Sequence, residues 1–182
     1  MITSNGADGS QVAEDRRLAD YVVDKAQRGR SRVWVLAWLA IGPFFRSGAG
    51  GTRMRATILR VFGAQVGVHT SLDRSLRVHF PWKLTLGDDV VVGAGVWFIN
   101  PEPILVGDAT TIGADVVVCS GGHDHRAAAF TRTSAPVRIG ARCSVGGGTT
   151  VLKDADIPAD SAIAPGSVVI ARPTRARHQR HE

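Results

Sequence analysis

Cysteine, aromatic residues and long apolar runs are all scarce in this chain. Only two of its 182 residues are cysteine, Cys119 and Cys143, and neither stands in a Cys-x-x-Cys pair or a ligand-type cluster. No disulfide framework is implied, and a reducing, cytoplasmic setting fits. The longest apolar stretch, Val33 to Phe45, is about 13 residues and too short to span a bilayer. The opening residues are polar and carry acids, unlike a secretory leader. Aromatic residues are 6% of the chain, which disfavours a bulky core. Acidic residues are outnumbered, 16 against 22 lysines and arginines, for a net charge of +6. That excess suits an anionic partner: nucleic acid, a membrane face or a phosphorylated small molecule. The basic residues gather toward the ends with no aromatic platform among them, which disfavours nucleic acid.

Glycine is abundant, at 21 residues, and much of it is periodic. Aliphatic anchors stand at Val66, Leu72 and Val78, then Leu86, Val92 and Phe98, then Val106, Ile112 and Val118. A last series runs Ile139, Val145, Val151, Ile157, Ile163 and Val169, and within each series the step is six. Glycines 67, 87, 93, 107, 113, 140 and 146 each follow an anchor directly. A period of six is neither helical nor simple alternation; it reads as a short strand plus a turn. One inward aliphatic per hexad builds a core stack, and the small residue behind it lets the chain bend. Three hexads close one triangular coil, so fifteen make a parallel β-helix of five coils, roughly 24 Å tall.

Three insertions break the period: Leu84 and Thr85, Ile104 and Leu105, and the longer run from Asp124 to Arg138. With three hexads per coil, all three leave the same corner of the prism. His123 is the last residue before the longest one and follows two glycines, Gly121 and Gly122. Paired glycines mark a place where something approaches the backbone. Asn100, Pro101 and Glu102 fall near the same corner one coil earlier, either lining a pocket or turning the chain. Three-imidazole metal binding is disfavoured, because His69, His79, His123 and His125 do not converge in the hexad register.

Upstream, residues 1–31 form a polar arm, residues 32–64 an apolar helical segment and cap, and residues 173–182 a basic tail around the β-helix of 65–172. Within 32–64, residues 32–45 read as a very apolar helix, 46–52 as a loop and 53–64 as an amphipathic helix over the open end of the prism. Packing is one reading of 33–45. The other is a peripheral membrane contact in which Trp34, Trp38 and Phe44 dip into the interface beside the arginines.

The hexads, with "FFRSG…GTRMRATILRVFGAQVG" (44–67), "FPWKLTLGDDVVVG" (80–93), "GGHD" (121–124) and "AF…APVRIG" (129–140), resemble the hexapeptide-repeat acyltransferases, most closely the colanic-acid-type O-acetyltransferases. The resemblance implies a left-handed parallel β-helix, a homotrimer, and transfer of acetyl from acetyl-CoA to a hydroxyl of a sugar, glycan or glycolipid, with no metal. It places the general base at His123, with Asp124 beside it to orient the imidazole or start the loop. Acceptor contacts fall to Asn100, Pro101 and Gly122. Donor contacts fall to Gly147, Pro165, Ile170, Ala171 and Arg172, along a groove between neighbouring prisms. The scarce cysteines suit a cytoplasmic place, and the apolar segment 33–45 leaves the inner membrane surface as an alternative. Ser144 stands where many relatives carry a tryptophan. Gly93 stands where the galactoside and maltose enzymes carry an asparagine, which argues against their substrates. The competing reading is a non-catalytic β-helix, a scaffold or regulatory partner in polysaccharide synthesis.

Overall fold

A computed structural model describes residues 29–46, 51–123 and 132–171. The polar arm up to residue 28, Asp124, His125, Arg172 and the basic tail lie outside the described residues. Two helices precede a three-faced prism: α1 (Arg32–Arg46) and α2 (Gly51–Val61). The first face stacks β1 (Gln65–Val66), β4 (Leu84–Leu86), β7 (Ile104–Val106), β12 (Val137–Ile139) and β15 (Asp156–Ile157). The second stacks β2 (Ser71–Leu72), β5 (Val91–Val92), β8 (Thr111–Ile112), β13 (Ser144–Val145) and β16 (Ala162–Ile163). The third stacks β3 (Arg77–Val78), β6 (Trp97–Ile99), β9 (Val117–Cys119), β14 (Thr150–Val151) and β17 (Val168–Val169). All pairings on these faces are parallel, in the register Val66–Leu86–Val106–Ile139–Ile157 on the first. All fifteen anchors therefore sit in strands, one per face per turn.

In nine of the fifteen hexads a second side chain, four residues after the anchor, also turns inward. Thr70, Leu76, Val90, Val96, Thr110, Val116, Cys143, Thr149 and Ala155 are all buried. The expectation of a single inward residue is corrected here. The turn that carries the chain to the next face also carries this position around the corner into the interior. Where the residue is threonine, its hydroxyl donates to a carbonyl: Thr110 to Gly140 O at 2.8 Å, and Thr149 to Ala164 O at 3.2 Å. Cys143 is packed in this column as a small core residue.

Two corners are lined by glycine for a steric reason. A Cβ on Gly87 would lie 2.7 Å from Asp108 N, and one on Gly113 would lie 2.6 Å from Gly147 N, so the next turn's backbone occupies that space. The inserts need a small correction as well. Leu84, Thr85, Ile104 and Leu105 belong to β4 and β7, and the extra residues sit just before them in the corner, at 79–83 and 100–103. Register decides this, because Thr85 pairs with Gln65 on the first face.

The N-terminal boundaries shift similarly. Helix α1 runs through Arg46 and α2 starts at Gly51, leaving 47–50 outside the described residues. Ser31 caps α1, its Oγ accepting from Trp34 N at 3.4 Å. Gly63, at φ +93°, ends α2: Gly63 N donates to Arg60 O and Ala64 N to Leu59 O, both at 2.9 Å. Ala56 and Leu59 of α2 are buried over the first turn of the prism, which closes its core at that end. Trp34 and Trp38 turn inward: Trp38 is 6% exposed and its Nε1 donates to Val78 O at 3.1 Å. Both rings pack against Phe62, at 5.3 and 5.1 Å between centroids. Insertion of these two rings into a membrane interface is thereby overturned.

Candidate active site at the inserted corner

The corner between the third and first faces carries every insert, so chemistry-bearing residues gather there. In the first turn His79 stacks on Phe80 (4.2 Å, 12°), and Phe80 leans on Trp82 (5.2 Å) in the short turn Pro81–Lys83. The second turn supplies Asn100 to Pro103. In the third, the chain leaves the prism as an antiparallel hairpin, β10 (Gly121–His123) with β11 (Arg132–Ser134). His123 ends β10, its backbone paired with Arg132. The fourth turn has no insert and presents Lys153.

The root of the hairpin is clamped from the turns on either side. Buried Ser120 Oγ accepts from Glu102 N at 2.9 Å and donates to Glu102 O at 2.8 Å. Ser134 Oγ donates to Glu102 Oε1 at 3.0 Å, and Ala135 N donates to Ser120 O at 3.0 Å. Pro101 fills the place of a side chain on Gly121: a Cβ there would lie 2.6 Å from Pro101 Cγ. Lys153 crosses Gly122, whose Cβ would meet the lysine side chain at 3.3–3.5 Å, and its Nζ donates to Thr133 Oγ1. Gly121 thus has a concrete cause, the proline beneath it, whereas the flexible lysine across Gly122 could give way to a Cβ. Lys83 Nζ donates to Pro101 O from the opposite side.

Asn100 lies under this corner with no exposed surface. Its Oδ1 accepts from Phe80 N at 2.9 Å and its Nδ2 donates to Phe80 O at 2.7 Å, so the amide ties the second turn to the first. Pro101 is buried and Gly122 half-buried beside it. The structure therefore brings Asn100, Pro101, Gly122 and His123 to one corner. Gly147 and Pro165 sit elsewhere, on the edge between the second and third faces. There, a Cβ on Gly146 would lie 2.4 Å from Pro165 N, and Gly166 N donates to Gly147 O at 2.9 Å. Ile170 (exposed) and Ala171 (half-buried) return to the inserted corner two turns beyond the hairpin. Within one chain the third face separates Gly147 and Pro165 from His123. Among the described residues, no three metal-ligating side chains converge.

Sequence reasoning missed Lys153, Lys83 and Ser134. The usable signal for Lys153 was register: it occupies the position held by Asn100 and Ser120 in the two preceding turns.

No protein-family model matches the chain. It is 33% identical over 157 residues to the "Putative colanic acid biosynthesis acetyltransferase WcaF" of Escherichia coli (strain K12), covering 85% of this chain and 83% of that one. The protein of the same name from Shigella flexneri matches to the same extent. Among solved structures, a hexapeptide-repeat containing acetyltransferase from Vibrio cholerae superposes with a TM-score of 0.68 at 19% identity, over 75% of this chain and 78% of that one. A maltose O-acetyltransferase from Clostridium difficile 630 gives 0.50 at 18% identity, over 78% and 89%. Those two likenesses speak for the fold, the parallel β-helix that the hexads predict and the left hand that the resemblance implies. Identity sustained over most of both chains, on a prism of fifteen hexads, shows that this chain belongs to the hexapeptide-repeat acetyltransferases, together with the colanic acid biosynthesis enzymes.

Proposed function

We propose that this protein moves an acetyl group from acetyl-CoA to a hydroxyl of a sugar, glycan or glycolipid, with His123 as general base. The observation that carries the reading is the hairpin root. A histidine ends a strand that is clamped by Glu102, Pro101 and Lys153 at the one corner where all inserts meet. The neutral imidazole takes the proton of the acceptor hydroxyl as its oxygen attacks the thioester carbonyl. The new C–O bond forms, the tetrahedral adduct collapses with cleavage of C–S, and the imidazolium returns its proton to the departing CoA sulfur. Asp124 orients the imidazole and Gly122 bounds the acceptor, while the buried Asn100 and Pro101, first expected as acceptor contacts, support that corner from beneath.

Gly147, Pro165, Ile170, Ala171 and Arg172 take the donor. Pantetheine is rich in amides, and an edge stripped of side chains at Gly146 and Gly147 leaves backbone groups for it to pair with. Because His123 and that edge lie on either side of the third face, the reading calls for a second copy to bring donor and base together, as in a homotrimer. The place of action is the cytoplasm, with residues 33–45 at the inner membrane surface.

The test joins calorimetry with acetyl-CoA to release of CoA thiol over a panel of sugar acceptors. Acetyl-CoA should bind, and His123→Ala should lower transfer by about 10²–10⁴-fold with the fold intact. Near-wild-type transfer in that variant overturns the base assignment. Absence of acetyl-CoA binding hands the case to a non-catalytic scaffold.

A further inference from the structure

We propose that the outward face of α1 docks the protein on an anionic lipid bilayer. The proposal extends the acetyl-transfer reading, but its evidence is separate. With Trp34 and Trp38 turned inward, the opposite face of the helix is still apolar. Val33, Leu36, Leu39 and Phe44 are 75, 64, 63 and 48% exposed, with the exposed Ala37 and Ala40 between them. A helix apolar on both faces has one face for its own prism and one for something else.

Charge selects the occupant. Between residues 25 and 72 there are eight lysines and arginines and no aspartate or glutamate. Arg30 and Arg32 at the start of α1, and Arg53 in α2, are exposed. An acid-free, arginine-bordered apolar stripe is the composition of an interfacial helix on anionic lipid, where each basic residue adds attraction to the headgroups. At fifteen residues α1 is about 22 Å long, short of a bilayer core, so it lies in the interface plane. A second copy meeting this face about a two-fold axis would set two acid-free basic segments against each other, which like charge opposes.

The docking helix also borders a groove. A groove of about 280 Å³ between α1 and the third face, lined by Trp38, Leu39, Arg77, His79 and Trp97, runs from the stripe to the inserted corner. The His123 hairpin stands two turns along the stack from that groove's first turn, about 10 Å away.

The experiment is co-sedimentation of the full chain with vesicles of phosphatidylcholine alone and of phosphatidylcholine mixed with phosphatidylglycerol. Wild type should pellet with the mixed vesicles, and less so as salt rises. Val33→Glu and Leu36→Glu should each weaken binding by about tenfold or more, and Arg32→Glu by about tenfold. His123→Ala should bind vesicles as wild type does, which separates this result from the fate of the catalytic reading. Wild type left in the supernatant, or glutamate variants that pellet unchanged, would overturn the proposal. So would a fall in oligomer mass, measured by light scattering, in Leu36→Glu, because the occupant would then be a second copy.

Discussion

Replacing Asn100 by alanine separates two jobs for one amide: addressing the acceptor, or tying turn to turn. Two bonds are lost, from Phe80 N (2.9 Å) and to Phe80 O (2.7 Å), at a residue with no exposed surface. Phe80 O keeps a second donor in Lys83 N at 3.0 Å, so it is not stranded. Phe80 N is left without its partner in a half-buried place. Two hydrogen bonds at about 1 kcal/mol each, with about 1–2 kcal/mol for the stranded N–H, give a destabilisation of about 3–4 kcal/mol. For a chain of this size that is roughly 6–16 °C in Tm. The assay is urea unfolding followed by tryptophan fluorescence at one fixed protein concentration, beside acetyl transfer on folded protein. Asn100→Asp should be no milder at neutral pH. It keeps an acceptor for Phe80 N but turns a second oxygen toward Phe80 O and buries a charge. An alanine variant that unfolds at the wild-type urea concentration while losing transfer would refute the reasoning. The amide would then belong to the acceptor.

Gly113→Ala should cost about 1–3 kcal/mol, read as a lower thermal midpoint, because the new Cβ meets Gly147 N at 2.6 Å and backbone in a stacked turn yields poorly. In a double-mutant cycle, Glu102→Ala and Ser134→Ala should couple by about 1 kcal/mol or more in urea unfolding, while Glu102→Gln, which still offers an amide oxygen to Ser134, stays near wild type. Both alanine variants should lower kcat more than the KM for acetyl-CoA, since they loosen the hairpin of His123 and leave the Gly147 edge alone. The side-chain and backbone hydrogen bonds of Ser75 hold the Asp73 carboxyl below the usual carboxylate range. Its contribution to stability is therefore present above about pH 4 and fades as pH falls through the lower folded value. Asp73→Asn should flatten that shallow acid limb in unfolding midpoints taken from neutral pH to about pH 3.

The hexad register alone determined the architecture. An anchor every sixth residue, with a small residue behind it, admits few solutions other than a three-faced solenoid. Slipping any strand by one residue would throw its anchor outward, so period and burial enforce one another. The same count placed all three inserts on one corner and His123 at the longest, which is why the position of the candidate base was legible before any coordinates. The sequence also located both helices, because apolar periodicity is a local signal.

Side-chain partnerships across turns were not local, and only the tertiary structure decided them. Asn100 meets Phe80 twenty residues away, Ser134 meets Glu102 at thirty-two, and Lys153 crosses Gly122 at thirty-one. These separations differ because the turns differ in length, so no fixed spacing announces them. The second inward column, present in nine of the fifteen hexads, was hidden for a related reason: its mix of threonine, valine, leucine, cysteine and alanine shows no single residue type, and the threonines enter the core only once stacking supplies carbonyl partners. The tryptophans of α1 read first as packing residues with lipid as the alternative, and contact with Phe62 and the carbonyl of Val78 turned them inward. The separation of Gly147 and Pro165 from His123 by a whole face likewise appears only once the chain is wound, since neighbours in a solenoid are set by the stacking of turns and not by distance along the sequence.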